Sequence, residues 1–166
     1  MSQDIEQYRN LVRGSQNAHA LGIYYMGKAL LEELGEEKGT EKIVQQTKEM
    51  GQYYGTSMKK AIESQGKDNE INHYYDRSTS PSNIFAFAWE GGTKSRENDE
   101  LILEWTYCPI ADGFKKAGDL GVKIGELFCD NIDNAEMQAY NSDYECIRES
   151  SLNLNGLCRL HFKLKD

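Results

Sequence analysis

The residues of this sequence best suited to chemistry are its cysteines. Three of the four form an ordered C-terminal series, namely Cys108 just before Pro109, Cys129, and Cys158 in the last segment. Thiolates act as nucleophiles and as ligands of soft metal ions. Free cysteine is also among the most buried residue types. We favour core packing for Cys158, weigh packing and function equally for Cys129, and assign Cys146 a structural role.

A zinc site is a further interpretation of the same thiols, because cysteines from separate elements can converge on one ion. Cys108, Cys129 and Cys158 include no Cys-x-x-Cys pair, so the support for zinc is weak and we assign no metal ligand. The sequence also has no recognisable phosphate loop, dinucleotide fingerprint or Ser-His-Asp signature. No cofactor is therefore expected.

The segments that carry Cys108 and Cys158 are predicted to be strands. Residues 101–107 and 156–164 alternate with period two, and the second segment places Cys158 on its core face. Pro109 ends the earlier strand because it lacks the amide hydrogen that a sheet ladder needs. Cys108 is therefore expected at a strand end.

Two more strands complete the predicted sheet. Residues 84–90 alternate with apolar residues on both faces, and are predicted to pair with residues 101–107 as an antiparallel hairpin closed by a polar loop at residues 91–99. Residues 144–150 form the other predicted strand. The result is a four-stranded antiparallel sheet.

Two helices are predicted between these strand pairs. Residues 111–117 form a short helix and residues 121–133 a longer one, which residues 134–140 extend or restart. Cys129 and Asp133 are one turn apart on the longer helix and share a face. The helix therefore places a carboxylate close to a thiol.

The N-terminal part is predicted to be a helical support. A short first helix is interrupted at Gly14, and a third helix begins with Thr40 as its N-cap. The second helix is expected to bury Ala18, Leu21, Gly22, Tyr25, Met26, Ala29 and Leu30. Gly22, Gly51 and Gly55 predict a close crossing of the second and third helices.

Residues 66–83 are predicted to form a loop or lid. The segment is polar, contains Pro81 and has no sustained periodicity, and a loop of this length is usually a functional lid or a flexible connection. It contributes one imidazole, that of His73, to the candidate chemistry.

The element order predicts an α+β fold in one domain, residues 1–166. A helical part at residues 1–65 and the loop at residues 66–83 precede residues 84–166, which run strand-strand-helix-helix-strand-strand. Helices back the antiparallel sheet on at least one face. A length of 166 residues with 39% hydrophobic content suits one compact domain.

Composition limits the partners. A net charge of -8 and a pI near 5.0 argue against nucleic acid or anionic lipid. No apolar run is long enough to span a membrane and the polar N-terminus is unlike a signal peptide, so we expect a cytoplasmic protein with reduced thiols. The expected partner is a small molecule, and a homodimer stays open.

Three ordered motifs carry a resemblance to a known family. They are Trp105-x-Tyr107-Cys108-Pro109, then Phe128-Cys129 followed by Asp133 and Tyr140-Asn141, then Gly156-x-Cys158-x-x-x-Phe162. With these motifs the C-terminal part resembles the L-2-amino-thiazoline-4-carboxylic acid hydrolase family. The element order also resembles the ligand-binding fold of vinyl-reductase-type sensory domains, haem-nitric-oxide-binding domains and acyl-binding Golgi tethering subunits, which is a likeness of topology alone.

The family resemblance implies a hydrolase that opens the aminothiazoline ring, a cyclic amidine, to a carbamoyl-cysteine. Such a reaction needs attack at the carbon between nitrogen and sulfur, a proton for the leaving group, and a donor for the substrate carboxylate. Cys108 is the candidate nucleophile, because amide dipoles at a helix start stabilise a thiolate. Asp133 is the candidate acid-base group, with His73 as a second.

The remaining candidates would bind the substrate. Tyr140 and Asn141 offer hydrogen bonds, and Arg159 or Arg77 offers a cation for the carboxylate, although Arg159 falls on the opposite strand face from Cys158. The expected walls of the site are Trp105, Cys129 and Cys158.

The alternative from another class is a binding or sensory module without chemistry. In that case an apolar pocket would hold a hydrophobic or aromatic effector. Its predicted lining is Tyr54, Phe87, Trp105 and Phe128.

Overall fold

The computed structural model of this protein describes residues 3–78, 87–97 and 99–166. Within these ranges the chain forms six helices and four strands. In chain order they are α1 (Gln3–Leu34), α2 (Glu36–Glu63), α3 (Ile71–Ser78), β1 (Glu90–Glu97), β2 (Glu100–Tyr107), α4 (Pro109–Lys116), α5 (Gly118–Tyr140), β3 (Tyr144–Ser150), α6 (Leu152–Asn155) and β4 (Cys158–Leu164). The predicted α+β fold is confirmed.

The four strands form one antiparallel sheet in the order β1-β2-β4-β3. Trp105 on β2 lies opposite Cys158 on β4, and Cys146 on β3 lies opposite Phe162. The predicted antiparallel sheet backed by helices is therefore confirmed. Cys158 therefore lies on the central strand β4, and Cys146 lies on the edge strand β3.

The first strand of the hairpin lies later in the chain than the sequence predicts. Residues 87–89 are not a strand, and β1 begins at Glu90 and continues through residues 91–97, which were expected to form a loop. β1 is a polar edge strand, so it needs no apolar alternation, and pairing with β2 is enough to order it. Residues 84–86 of the predicted strand lie outside the described residues.

Helix α1 is continuous, contrary to the predicted break at Gly14. Its predicted buried stripe is also wrong, because Tyr25 is 63% and Met26 66% exposed. The core side of α1 carries Val12 and Ala20 instead. The helix has two apolar faces, and hydrophobic periodicity cannot tell which of them the rest of the chain covers.

The close helix crossing predicted from glycines involves a different pair of helices. A methyl group added at Gly51 would lie 2.6 Å from the carbonyl oxygen of Ile132, and one added at Gly55 would overlap the carbonyl oxygen of Glu136. Nothing lies within 4 Å of such a group at Gly22. Helix α2, which begins before the predicted N-cap Thr40, therefore approaches α5 at Gly51 and Gly55, whereas its Gly39 lies against Leu30 and Leu31 of α1.

Part of the predicted loop is helical. Residues 71–78 form α3, whose Ile71 and Tyr74 are buried against the sheet side of α5, while residues 79–83 lie outside the described part of the chain. Hydrophobic contacts by these two residues stabilise α3. The helix has only eight residues, which is too short for its sequence to show a clear helical periodicity of apolar residues.

Helix α5 lies between two apolar clusters. The first, between α5, α3 and the sheet, is centred on Leu101, Met137, Tyr140 and Phe162. The second, among α1, α2, α4 and α5, is centred on Ala20, Ile43, Phe114, Ile124 and Phe128. Among the described helices, none is long and apolar enough to cross a membrane.

Candidate active site around Cys108

Cys108 is the residue that joins β2 to α4. Its backbone is extended, with φ -133° and ψ 121°, and it occupies the N-cap position before Pro109. The indole N–H of Trp89 donates a hydrogen bond to its Sγ over 3.2 Å. The backbone N–H groups of Ile110 and Ala111, at the start of α4, also lower the pKa of this thiol, although neither makes a cap hydrogen bond to the side chain. The helix start and one indole donor therefore act on the thiol.

The thiol is nevertheless protonated at rest. Burial raises the pKa of Cys108, and the N–H groups of Trp89, Ile110 and Ala111 offset this effect only in part. A small further increase comes from the negative charge of Asp133. The buried thiolate would lose more hydration than these N–H groups restore. Any nucleophilic role of Cys108 needs a base.

Two further thiols belong to the same electrostatic group. Burial, followed by the charges of Cys108 and Asp133, raises the pKa of Cys129 well above its ordinary value. Burial, followed by the charge of Asp133, raises the pKa of Cys158 to about 12. Cys108, Cys129 and Cys158 therefore all lie within electrostatic range of Asp133.

Two carboxylates with raised pKa lie on α5, three residues apart. Burial raises the pKa of Asp133 to about 6, against the opposing charge of Arg148. Burial and the charge of Asp133 raise the pKa of Glu136 to about 7, although its Oε1 accepts a 3.0 Å hydrogen bond from Tyr74, which lowers it. The pair is poised to exchange protons near neutral pH.

Arg148 is the cation that faces this group from β3. Its Nη2 lies 2.5 Å from Oδ1 of Asp130 and 2.7 Å from Oε2 of Glu126. Glu126 also accepts a 2.6 Å hydrogen bond from the hydroxyl of Ser151. These contacts tie β3 and the start of α6 to α5, on the side of α5 that carries Asp133.

A small pocket of about 200 Å³ adjoins Cys108. Its lining consists of Thr106, Tyr107, Cys108, Asp112, Lys115, Leu152, Asn153 and Gly156. Drug-sized ligands usually occupy about 300–1,000 Å³. This pocket therefore suits a much smaller ligand.

A comparison with protein families connects this geometry to a known group. The family model described as L-2-amino-thiazoline-4-carboxylic acid hydrolase matches residues 15–162. The chain belongs to this family. The resemblance to this family, predicted from three C-terminal motifs, is thus confirmed. The match also includes most of the N-terminal helical part of the chain.

Comparison of structures supports the topological resemblance as well. A trafficking protein particle complex subunit 3 from Naegleria fowleri, covalently bound to palmitic acid, matches with a TM-score of 0.56 and 13% identity. The match covers 92% of this chain and 96% of that chain. At this identity the likeness establishes the fold alone. A comparison of the sequence with curated proteins finds no significant match.

Other residues predicted for the site in this family member lie apart from the thiols. His73 Nδ1 is 2.8 Å from Oδ1 of Asp68. The Tyr140 hydroxyl and the Asn141 side-chain amide donate to the backbone carbonyls of Glu70 and Asn69, over 2.8 and 2.9 Å, respectively. Tyr140 and Asn141 therefore hold the segment that leads into α3.

Neither arginine predicted to bind the substrate carboxylate lies at the Cys108 pocket. Arg159 lies on the opposite face of β4 from the core, 3.2 Å from Oε1 of Glu104 and 2.8 Å from Oε2 of Glu149. Arg77 is exposed on α3. We carry neither arginine into the proposed site.

Trp105 and Trp89 form an aromatic wall beside the thiols. Their ring centroids are 6.4 Å apart, and Trp105 is the strand partner of Cys158. Trp105 was predicted, but the contact of Trp89 with Cys108 was missed, because Trp89 was placed within a strand. Glu136 was also missed, although its position three residues after Asp133 on one helix face was a readable signal.

The proposed lining of an apolar effector pocket is dispersed. Phe128 packs against Phe114 in the helical cluster, whereas Trp105 packs against the sheet cluster. Within residues 3–78, 87–97 and 99–166, no three His, Cys, Asp or Glu side chains are arranged to hold a metal ion. The described geometry therefore adds nothing to the zinc interpretation.

Proposed function

We propose that this protein hydrolyses a small cyclic amidine of the aminothiazoline carboxylate type, opening its ring to a carbamoyl-cysteine. The observation that carries the proposal is the position of Cys108, which accepts a hydrogen bond from the indole N–H of Trp89, occupies the N-cap position of α4 and lines a pocket of about 200 Å³. Membership of the aminothiazoline carboxylate hydrolase family supports the substrate class.

In the proposed reaction Asp133 serves as the base for Cys108. Its pKa of about 6 leaves the carboxylate largely ionised at neutral pH, which is near the optimum for general acid-base catalysis. The proton moves from the thiol to the carboxylate, directly or through a water molecule. The hydrogen bond from Trp89 and the backbone N–H groups of Ile110 and Ala111 at the start of α4 then stabilise the new thiolate.

The thiolate attacks the ring carbon between nitrogen and sulfur. A bond forms between Cys108 Sγ and that carbon, the bond from the carbon to the ring sulfur breaks, and the released thiolate takes the proton held by Asp133. Water then attacks the same carbon, and Cys108 leaves as the thiol. One water molecule is consumed, and the ring sulfur becomes the thiol of the carbamoyl-cysteine.

The test is turnover of aminothiazoline carboxylate, followed by NMR and by mass spectrometry of the product. The wild type is expected to form carbamoyl-cysteine, and Cys108→Ser is expected to lose activity by at least about a thousandfold, because a serine hydroxyl is a far weaker nucleophile. Cys146→Ser is the matched control, since Cys146 is a buried residue of β3, opposite Phe162 of β4, and does not line the pocket. Full activity in Cys108→Ser would exclude covalent catalysis by this residue.

Non-catalytic binding is the second candidate function. It is favoured by the raised pKa of Cys108, Cys129, Cys146 and Cys158, because protonated thiols are poor nucleophiles. In this case a small amidine would raise the melting temperature and stay intact over hours of incubation. Release of carbamoyl-cysteine by the wild type would rule this candidate out.

A further inference from the structure

The pocket beside Cys108 contains one lysine that is free to bind an anion. Asp112 and Lys115 lie four and seven residues after Cys108, so all three share one face of α4 and line the same pocket. Seven residues correspond to about 10.5 Å along a helix. Because helical side chains tilt toward the N-terminus, the Lys115 side chain leans back toward Cys108.

The charges around Lys115 are otherwise paired. Asp112 Oδ2 lies 2.7 Å from Nζ of Lys116 and accepts a 3.3 Å hydrogen bond from the hydroxyl of Tyr107. Lys116 also donates to Oδ1 of Asn17 over 2.9 Å. The exposed Lys115 ammonium has no hydrogen-bond or ion-pair partner in the described part of the chain. It is the cation of the pocket that a ligand can use.

The overall charge of the protein makes such a cation necessary. At a net charge of -8 the chain repels an anionic substrate, so binding needs a local positive group. The two arginines first considered for this role lie on the outer sheet face and on α3. Among the described residues that line the pocket, Lys115 is the one basic residue.

We infer that Lys115 binds the carboxylate of a small ring substrate whose electrophilic carbon lies at Cys108. This inference rests on the proposed function and adds the residue that recognises the substrate carboxylate. Asp112 and Lys116 neutralise each other in their ion pair, so the one uncompensated charge is the ammonium of Lys115. One positive charge matches a substrate with a single carboxylate.

The experiment measures binding separately from turnover. In a Cys108→Ser background, calorimetry gives Kd for aminothiazoline carboxylate and for 2-aminothiazoline, which has the same ring and no carboxylate. Lys115→Gln is expected to weaken binding of the carboxylate ligand about tenfold, since one charge-assisted hydrogen bond is lost, and to leave binding of the bare ring unchanged. Lys115→Arg should restore most of the lost affinity.

Lys28→Gln is the charge-matched control, because Lys28 lies on α1 and pairs with Glu32. It should leave both affinities unchanged. Equal losses for both ligands in Lys115→Gln, no loss for either, or no binding of either ligand to the Cys108→Ser protein would each overturn the inference. If binding depends on Lys115 but the wild type forms no product, the hydrolase proposal is contradicted while the inference about Lys115 stands.

Discussion

The indole N–H of Trp89 donates a hydrogen bond of 3.2 Å to the sulfur of Cys108. Trp89 precedes the edge strand β1, whereas Cys108 caps α4, so this bond attaches the start of the hairpin to the candidate nucleophile. The contact also orients Trp89 toward Trp105, the strand partner of Cys158. One side chain thus links the pocket cysteine to the aromatic wall.

Removing this donor should make the Cys108 thiol less acidic. In Trp89→Phe the ring remains but the N–H is lost, and a hydrogen bond to a charged group contributes about 1.5–3 kcal/mol, so the pKa of Cys108 should rise by about one unit or more. Alkylation of Cys108 by iodoacetamide, quantified by peptide mass spectrometry, should be about tenfold slower at pH 8. Trp105→Phe is the control, and an equal slowing there would show that packing, not the donor, controls the thiol.

The pH dependence of turnover should report Asp133. Activity is expected to rise with pH through about 6, as the carboxylate ionises and becomes able to accept the thiol proton. Asp133→Asn should lower kcat by about a hundredfold and remove this rising limb. Rates measured from pH 4.5 to 8.5 test this, and a limb that persists in Asp133→Asn would assign it to another group.

Arg148 should set the position of that limb. Its guanidinium lowers the pKa of Asp133, so Arg148→Met should move the rising limb to higher pH by about one unit. Arg159→Met, on the opposite sheet face, is the matched control and should leave the limb in place. Circular dichroism must accompany the kinetics, because loss of Arg148 also leaves Glu126 without its cation. An unshifted limb in a folded Arg148→Met protein would contradict the prediction.

The buried carboxylates should make the protein less stable as the pH rises. The folded pKa of Asp133 (about 6) and of Glu136 (about 7) lie above their ordinary values of 3.8 and 4.5, so the folded state holds protons that the unfolded state releases. This contribution is fully present below about pH 4 and is lost as the pH rises through 6 to 7.

Urea unfolding of the wild type and of Asp133→Asn tests this linkage. The variant keeps a neutral side chain at every pH, so its stability relative to wild type should increase between pH 4 and pH 7.5 by about 2–3 kcal/mol. Asp143→Asn, in the turn before β3, is the control. A difference between wild type and Asp133→Asn that does not change with pH would contradict the raised pKa.

The contact of α2 with α5 should not tolerate a side chain. Gly55→Ala places a methyl group against the carbonyl of Glu136 and should cost about 1–3 kcal/mol or more of the free energy of unfolding. Gly14→Ala, with nothing within 4 Å, should instead stabilise the protein by up to about 1 kcal/mol, because alanine favours the helix. Denaturant unfolding compares the two, and equal effects would show that α2 and α5 separate readily.

Much of the second half of the fold could be predicted from the sequence. β2, β3, β4 and α5 each bury one face, so their apolar periodicity marks them directly. β1 could not be found in this way, because it is a polar edge strand ordered by its partner. Likewise, periodicity could locate the apolar residues of α1 but not the face that the chain covers.

The sequence identified individual residues of the candidate site better than it identified which residues contact each other there. The spacing of Cys129 and Asp133 along one helix placed them together, and Cys108 was expected at a helix start. The contacts from Trp89 to Cys108 and from Tyr74 to Glu136 join positions far apart in the sequence. Only the packing of separate elements determines such pairs, so no local pattern contains them.

The size of the Cys108 pocket also determines how much solvent the proposed reaction has at hand. At about 30 Å³ per molecule, a pocket of about 200 Å³ holds roughly seven waters when no ligand is present. A bound ring expels most of these. In the proposed reaction the water that completes hydrolysis is therefore expected to enter from the open mouth once the ring has opened, so that ring opening and hydration are successive events.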